Sequence, residues 1–75
     1  MVSELPVVSG KEVVKALERA GYFIRRHRGS HVRMYHATKT PVTVPLAKAV
    51  KKGTLHKILR DAELEPVEFV KLLKS

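Results

Sequence analysis

The stretch Tyr22-Phe23-Ile24-Arg25-Arg26-His27-Arg28-Gly29-Ser30-His31-Val32-Arg33-Met34-Tyr35-His36 decides how this chain folds. Its first half is aromatic and β-branched before it turns basic. In its second half Val32, Met34 and His36 alternate with His31, Arg33 and Tyr35, the period of a strand with one buried face. Arg28-Gly29 lies between the two runs and predicts a two-residue hairpin turn, with glycine supplying a positive φ. A third short strand is predicted at Val42-Thr43-Val44, bounded by Pro41 and Pro45. Proline donates nothing to a ladder, so both mark strand ends and suggest a short or edge strand.

Helices flank this β region. Ser9 is the predicted N-cap of a helix over about residues 10–20, with Glu12 completing a capping box. Val13, Leu17 and Ala20 form one apolar stripe, with Ala16 alongside, and Gly21 stands where a C-terminal glycine belongs. After a basic loop from Leu46 to Lys52, Thr54 is the predicted N-cap of a second helix. Leu55, Ile58, Leu59 and Ala62 are its apolar stripe. A short final helix is predicted from Pro66, with Glu65 and Glu68 at its positive end and Phe69, Val70 and Leu73 on its buried side. The order is α-β-β-β-α plus a short C-terminal helix, an α+β fold. Its two main helices lie on one face of a three-stranded antiparallel sheet, and the other face is open. Double-stranded-RNA-binding domains have this layout.

Residues 1–75 are expected to form a single domain, since 75 residues leave no room for a second core. The absence of cysteine removes disulfides and thiolate metal sites. No apolar run approaches the roughly 20 residues that span a bilayer. Ser3, Glu4 and Pro6 interrupt the apolar start, so no signal-peptide pattern precedes the first helix. A soluble, cytoplasmic protein is expected, with no membrane partner.

Charge points to the counterpart. The formal net charge is +8. Between Arg19 and Arg60 there is no acidic residue. All seven acids lie outside that span: Glu4, Glu12 and Glu18 before it, and Asp61, Glu63, Glu65 and Glu68 after it. Such segregation implies one strongly positive face, and nucleic acid is the expected counter-charge.

His27, His31, His36 and His56 all fall inside the basic span. His31 is the leading candidate for chemistry, because it follows the turn residues Gly29 and Ser30 at the hairpin mouth. The Ser30 hydroxyl and nearby N–H groups could donate to a phosphate oxygen, and glycine lets a phosphate approach closely. Arg26, Arg28 and Arg33 could neutralise charge on a pentavalent phosphate. RNA carries its own 2′-hydroxyl nucleophile, so cleavage needs a base, an acid and positive charge. The equal alternative at this point is a surface histidine that contacts phosphate without chemistry. His27 and His36 read as positioning or exposed residues, and His56 as a helix flank. A histidine-only zinc site from His27, His31 and His36 is opposed by the clustered arginines, and magnesium would want carboxylates. Ser30 as a nucleophile lacks the acid of a triad. The lysines from Lys48 to Lys57, Lys51 and Lys52 among them, read as a phosphate-tracking stripe or a solvated face.

Gly21-Tyr22, Arg26, Gly29-Ser30-His31, Val44-Pro45 and Gly53-Thr54-Leu55 with Ile58-Leu59 together resemble HicA-type toxins, also called YcfA-like proteins. The resemblance runs from about Ser9 to Leu73. It implies a fold like a double-stranded-RNA-binding domain and a ribosome-independent mRNA interferase of a type II toxin–antitoxin module. It also implies catalysis by the histidine of the Gly-Ser-His motif, here His31, and a HicB-type antitoxin that covers the site. The expected substrate is single-stranded mRNA, with no metal and no small-molecule cofactor. A non-catalytic RNA-binding or interaction module on the same fold is the alternative. Two positions depart from the resemblance: Ala47, where many relatives carry histidine, and His27, where glutamine is common and which could compensate for Ala47.

Overall fold

A computed structural model describes residues 5–75, so Ser3 and Glu4 lie outside the described part. The elements are α1 (Gly10–Arg19), β1 (Phe23–Arg28), β2 (His31–Tyr35), β3 (Val42–Pro45), α2 (Lys52–Asp61) and α3 (Pro66–Lys74). The strands form one antiparallel sheet in the order β1-β2-β3. Helices cover one face of this sheet, giving the expected α+β architecture.

Alternation along β2 and β3 sets the sidedness. Val32, Met34, Val42 and Val44 are buried, whereas His31, Arg33, Tyr35 and Thr43 are exposed. The buried set meets Val13, Ala16 and Leu17 of α1, Leu55, Ile58 and Leu59 of α2, and Phe69 of α3 in one core. Among the described residues that core holds no buried polar or charged residue. No described helix is long and apolar enough to cross a membrane.

Capping follows the sequence at α1 and departs from it at α2. Ser9 Oγ accepts from the Glu12 N–H, and Glu12 returns a bond to the Ser9 N–H at 2.8 Å. Gly21 has φ 102, and the Gly21 and Tyr22 N–H groups bond back to the Glu18 and Leu17 carbonyls. This is a Schellman ending on a left-handed glycine. A Cβ on Gly21 would also stand 2.9 Å from His36 Nε2. By contrast, Thr54 is not the N-cap of α2; Lys51 is, without a side-chain cap bond. Buried Val50, whose N–H donates to the Val8 carbonyl at 2.8 Å, fixes the chain earlier than the capping pattern suggested. Helix α2 ends on a second Schellman turn, with Glu63 at φ 57 in place of the usual glycine.

The final helix is also more than an appendage. It spans nine residues against ten for each of the others, and Pro66 starts it as expected. Helix α1 packs against α3 and β3, while α2 packs against β3. Arg19 donates to the Leu72 carbonyl at 2.7 Å, placing a cation at the negative end of α3.

Two positions on the core side are more constrained than their spacing suggested. Tyr22 is buried, donates its hydroxyl to the Thr40 carbonyl at 2.7 Å, and lies 5.0 Å from the His36 ring. Burial, aided by the Asp61 and Glu63 carboxylates, raises its phenol pKa. A Cβ on Gly10 would fall on the Pro45 carbonyl oxygen and 2.7 Å from Leu46 Cα, so α1 begins in direct backbone contact with the end of β3. Gly53, inside α2, has open space around it. Gly10→Ala should therefore lower unfolding free energy by about 2–3 kcal/mol through overpacking, whereas Gly53→Ala should raise it by about 0.4–1 kcal/mol. Urea denaturation of the two variants checks both signs.

Candidate nucleic-acid interface

The open sheet face is built in cross-strand rows. At the hairpin end Arg28 pairs with His31, which pairs in turn with Pro45. In the middle Arg26 faces Arg33, and Arg33 faces Thr43. At the far end Phe23 faces Tyr35. Directly opposed residues of an antiparallel pair share a face, so these rows present one continuous surface.

A bulge in β1 makes this arrangement possible. The register passes from Ile24↔Met34 to Arg26↔Arg33 and leaves Arg25 without a partner. Uninterrupted alternation from Phe23 would turn Arg26 and Arg28 toward the helices and His27 outward. The extra residue reverses the phase, as bulges do. Arg25, Arg26 and Arg28 then all line the open face, and His27 turns away. The hairpin turn is Gly29-Ser30 rather than the expected Arg28-Gly29. Arg28 and His31 pair as the flanking residues, and only Gly29 (φ 56) of the turn has a positive φ. A glycine of positive φ in the first position is the type II′ pattern, which follows the strand twist.

The result is a concavity of about 620 Å³ lined by Arg25, Arg26, Arg28, His31, Arg33, Tyr35 and Thr43. Arg33 is held by a 2.8 Å bond from Nη1 to Thr43 Oγ1. The guanidinium carbons of Arg25 and Arg33 lie 5.9 and 5.8 Å from the centre of the Tyr35 ring. No carboxylate lines the concavity. Among the described residues the single ion pair is Lys57–Asp61, 3.0 Å apart along α2. Like charges opposed across strands, with no acid to offset them, create a field for a polyanion.

The expected site residues divide. His31, Arg26, Arg28 and Arg33 converge on the concavity. Gly29 and Ser30 sit at its rim as the exposed turn, with the Ser30 carbonyl accepting from the Leu46 N–H. Lys51 and Lys52 do not line it; they start α2 beyond β3. A second depression beyond Arg33 and Thr43 reaches Thr54 and Lys57 instead. Arg25, Tyr35 and Thr43 also line the concavity, though the sequence reading did not name them among the site residues. The exposed phase of Tyr35 was readable from β2 alternation, but the bulge that recruits Arg25 has no sequence signal.

Only His31 of the four histidines lines the concavity. His27 Nε2 lies 3.0 Å from the Gly29 carbonyl and its ring lines a groove against α1, on the opposite side of the sheet. His27 therefore faces the α1 side of the sheet, away from the concavity. Ala47 is exposed, and its carbonyl accepts from the Gly10 N–H at 2.9 Å. His36 accepts the Thr38 N–H on Nδ1 and packs on Tyr22. Among the described residues no group of three or more His, Cys, Asp or Glu side chains could hold a metal ion.

Comparison with known proteins gives a consistent picture. The family model described as the HicA toxin of bacterial toxin-antitoxin matches residues 10–64. A solved structure of a toxin-antitoxin complex from Streptococcus pneumoniae contains a similar chain, with TM-score 0.66 and 33% identity. That match covers 76% of this chain and 98% of the other. No curated protein matches.

The cationic rows give a direct expectation for polyanion binding. Arg26→Ala or Arg33→Ala should each reduce the slope of log K against log salt by about 0.7–1, while Lys71→Ala on α3 should leave it unchanged. Titrations at several salt concentrations check this.

Proposed function

This chain belongs to the HicA toxin family of bacterial toxin–antitoxin systems, and from that premise we propose that it is a metal-independent endoribonuclease that cleaves single-stranded mRNA in the cytoplasm. The observation that carries this reading is the setting of His31. It is the one imidazole on a concavity lined by four arginines and no carboxylate.

The chemistry follows from what RNA brings. The 2′-hydroxyl loses its proton to a base and its oxygen attacks the adjacent phosphorus. The bond to the 5′ oxygen then breaks, and that oxygen takes a proton. The products are a 2′,3′-cyclic phosphate and a 5′-hydroxyl. A neutral His31 can accept the first proton, and a protonated His31 can supply the second. Arg26, Arg28 and Arg33 donate to the non-bridging oxygens, where charge grows as phosphorus becomes pentavalent. The Gly29 and Ser30 N–H groups and the Ser30 hydroxyl offer further donors at the rim. Lys51 and Lys52 extend the phosphate track past β3.

A HicB-type antitoxin is the proposed protein partner. An acidic segment laid over the concavity would offset the opposed guanidinium groups and exclude RNA in one step. Such binding stabilises the folded toxin by mass action. That the S. pneumoniae neighbour is a toxin-antitoxin complex supports this.

A second reading, RNA binding without turnover, has one observation in its favour. Cleavage uses both a base and an acid, yet no second imidazole lines the concavity. His31→Ala separates the readings. Under the enzymatic reading the variant keeps its fold and its affinity for uncleavable RNA but loses about 100-fold or more in cleavage rate. EDTA leaves the wild-type rate intact. Cleavage by His31→Ala at the wild-type rate overturns the catalytic role, and tight binding by wild type without any product establishes the binding module.

A further inference from the structure

The chain has four Phe and Tyr residues and no Trp. Tyr22 and Phe69 are buried, at 3% and 0% exposure, as aromatic side chains in a small core should be. The other two, Phe23 and Tyr35, are 51% and 37% exposed. They occupy directly opposed positions on β1 and β2, at the end of the open face away from the hairpin turn. Leaving both in water forgoes much of the stabilisation their burial would bring.

Tyr35 is also electrostatically prepared. Two guanidinium groups, Arg25 and Arg33, lie within 6 Å of its ring centre, and Arg33 is held there by Thr43. The bulge in β1 brings Arg25 to this position. An exposed ring beside cations, one of them held in place, is the combination with which single-stranded nucleic acids are bound. The ring stacks a base while the cations take the neighbouring phosphates.

We propose that Tyr35 is a stacking platform for a nucleobase of single-stranded RNA, flanked by Arg25 and Arg33 as phosphate contacts. This inference rests on the RNA-cleaving reading above and extends it to substrate positioning. His31 and Tyr35 are four residues apart on β2, about 13 Å along the strand. The stacked base therefore lies along the RNA from the scissile phosphate and sets how the strand is threaded past His31. A base is favoured over an acidic protein segment as occupant. Carboxylates could satisfy the arginines but would leave the ring uncovered, whereas a nucleotide engages ring and cations together.

The test is a fluorescence anisotropy titration with a short single-stranded RNA made uncleavable by 2′-O-methylation. A second arm uses the same backbone with abasic residues. Wild type should bind the base-bearing strand about tenfold more tightly than the abasic one. Tyr35→Ala should erase that difference while keeping wild-type affinity for the abasic strand, and Tyr35→Phe should preserve it. Tyr35→Trp introduces the chain's only tryptophan. Its emission should be quenched by the base-bearing strand and not by the abasic one.

A base-dependent preference that survives in Tyr35→Ala overturns the proposal. So does a wild type that binds both strands equally, which leaves the ribonuclease reading standing. Wild type that binds neither strand removes the RNA reading itself. If Tyr35→Ala keeps the base preference but loses affinity for a HicB-type antitoxin, the platform serves the protein partner and the proposal fails.

Discussion

The two-residue alternation of β2 is the constraint from which the rest of the molecule follows. Val32 and Met34 must enter the core, at 3% and 0% exposure, so His31, Arg33 and Tyr35 must leave it. A slip of one residue would bury Arg33 without a partner and expose Met34, a penalty a small domain could not bear. Fixing β2 fixes its neighbours. Thr43 meets Arg33 on one edge, and the bulge at Arg25 sets Arg26 against Arg33 on the other. The face that carries the candidate chemistry is thus the unavoidable reverse side of the core.

That reverse side is held in a costly state. Arg26 and Arg33 face each other across strands, and Arg28 faces His31. Like charges directly opposed weaken a sheet. Every acidic residue among those described lies in a helix or in the loop between α2 and α3. A fold selected only for stability would mix the signs. Segregation makes sense where an anion supplies the missing charge, and the proposed RNA phosphate and antitoxin surface are both such anions.

Much of this was legible in the sequence because it follows from period and punctuation. The Ser9-Glu12 capping box, the Gly21 ending, the β2 alternation and the Pro66 start all form where local chemistry places them. Elsewhere non-local contacts decided the outcome. The start of α2 follows the burial of Val50 rather than Thr54, and α3 becomes a full partner of α1 through Phe69 and the Arg19–Leu72 bond. On the open face, His31 and three arginines named from the sequence line the concavity, but the register that gathers them was not readable. Gly29-Ser30 forms the turn one residue later than expected, and the bulge recruits Arg25 while turning His27 away. Both depend on how two strands pair, which a single strand's pattern does not specify.

We propose that the β-sheet face opposite the helices is where RNA binds. Amide chemical-shift mapping of the 15N-labelled protein, titrated with an uncleavable single-stranded RNA, tests it most directly. The largest shifts should fall at residues 25–35 and at Thr43, with little change over the exposed faces of α1 and α3. Shifts concentrated on those helices, with residues 25–35 unmoved, would contradict it.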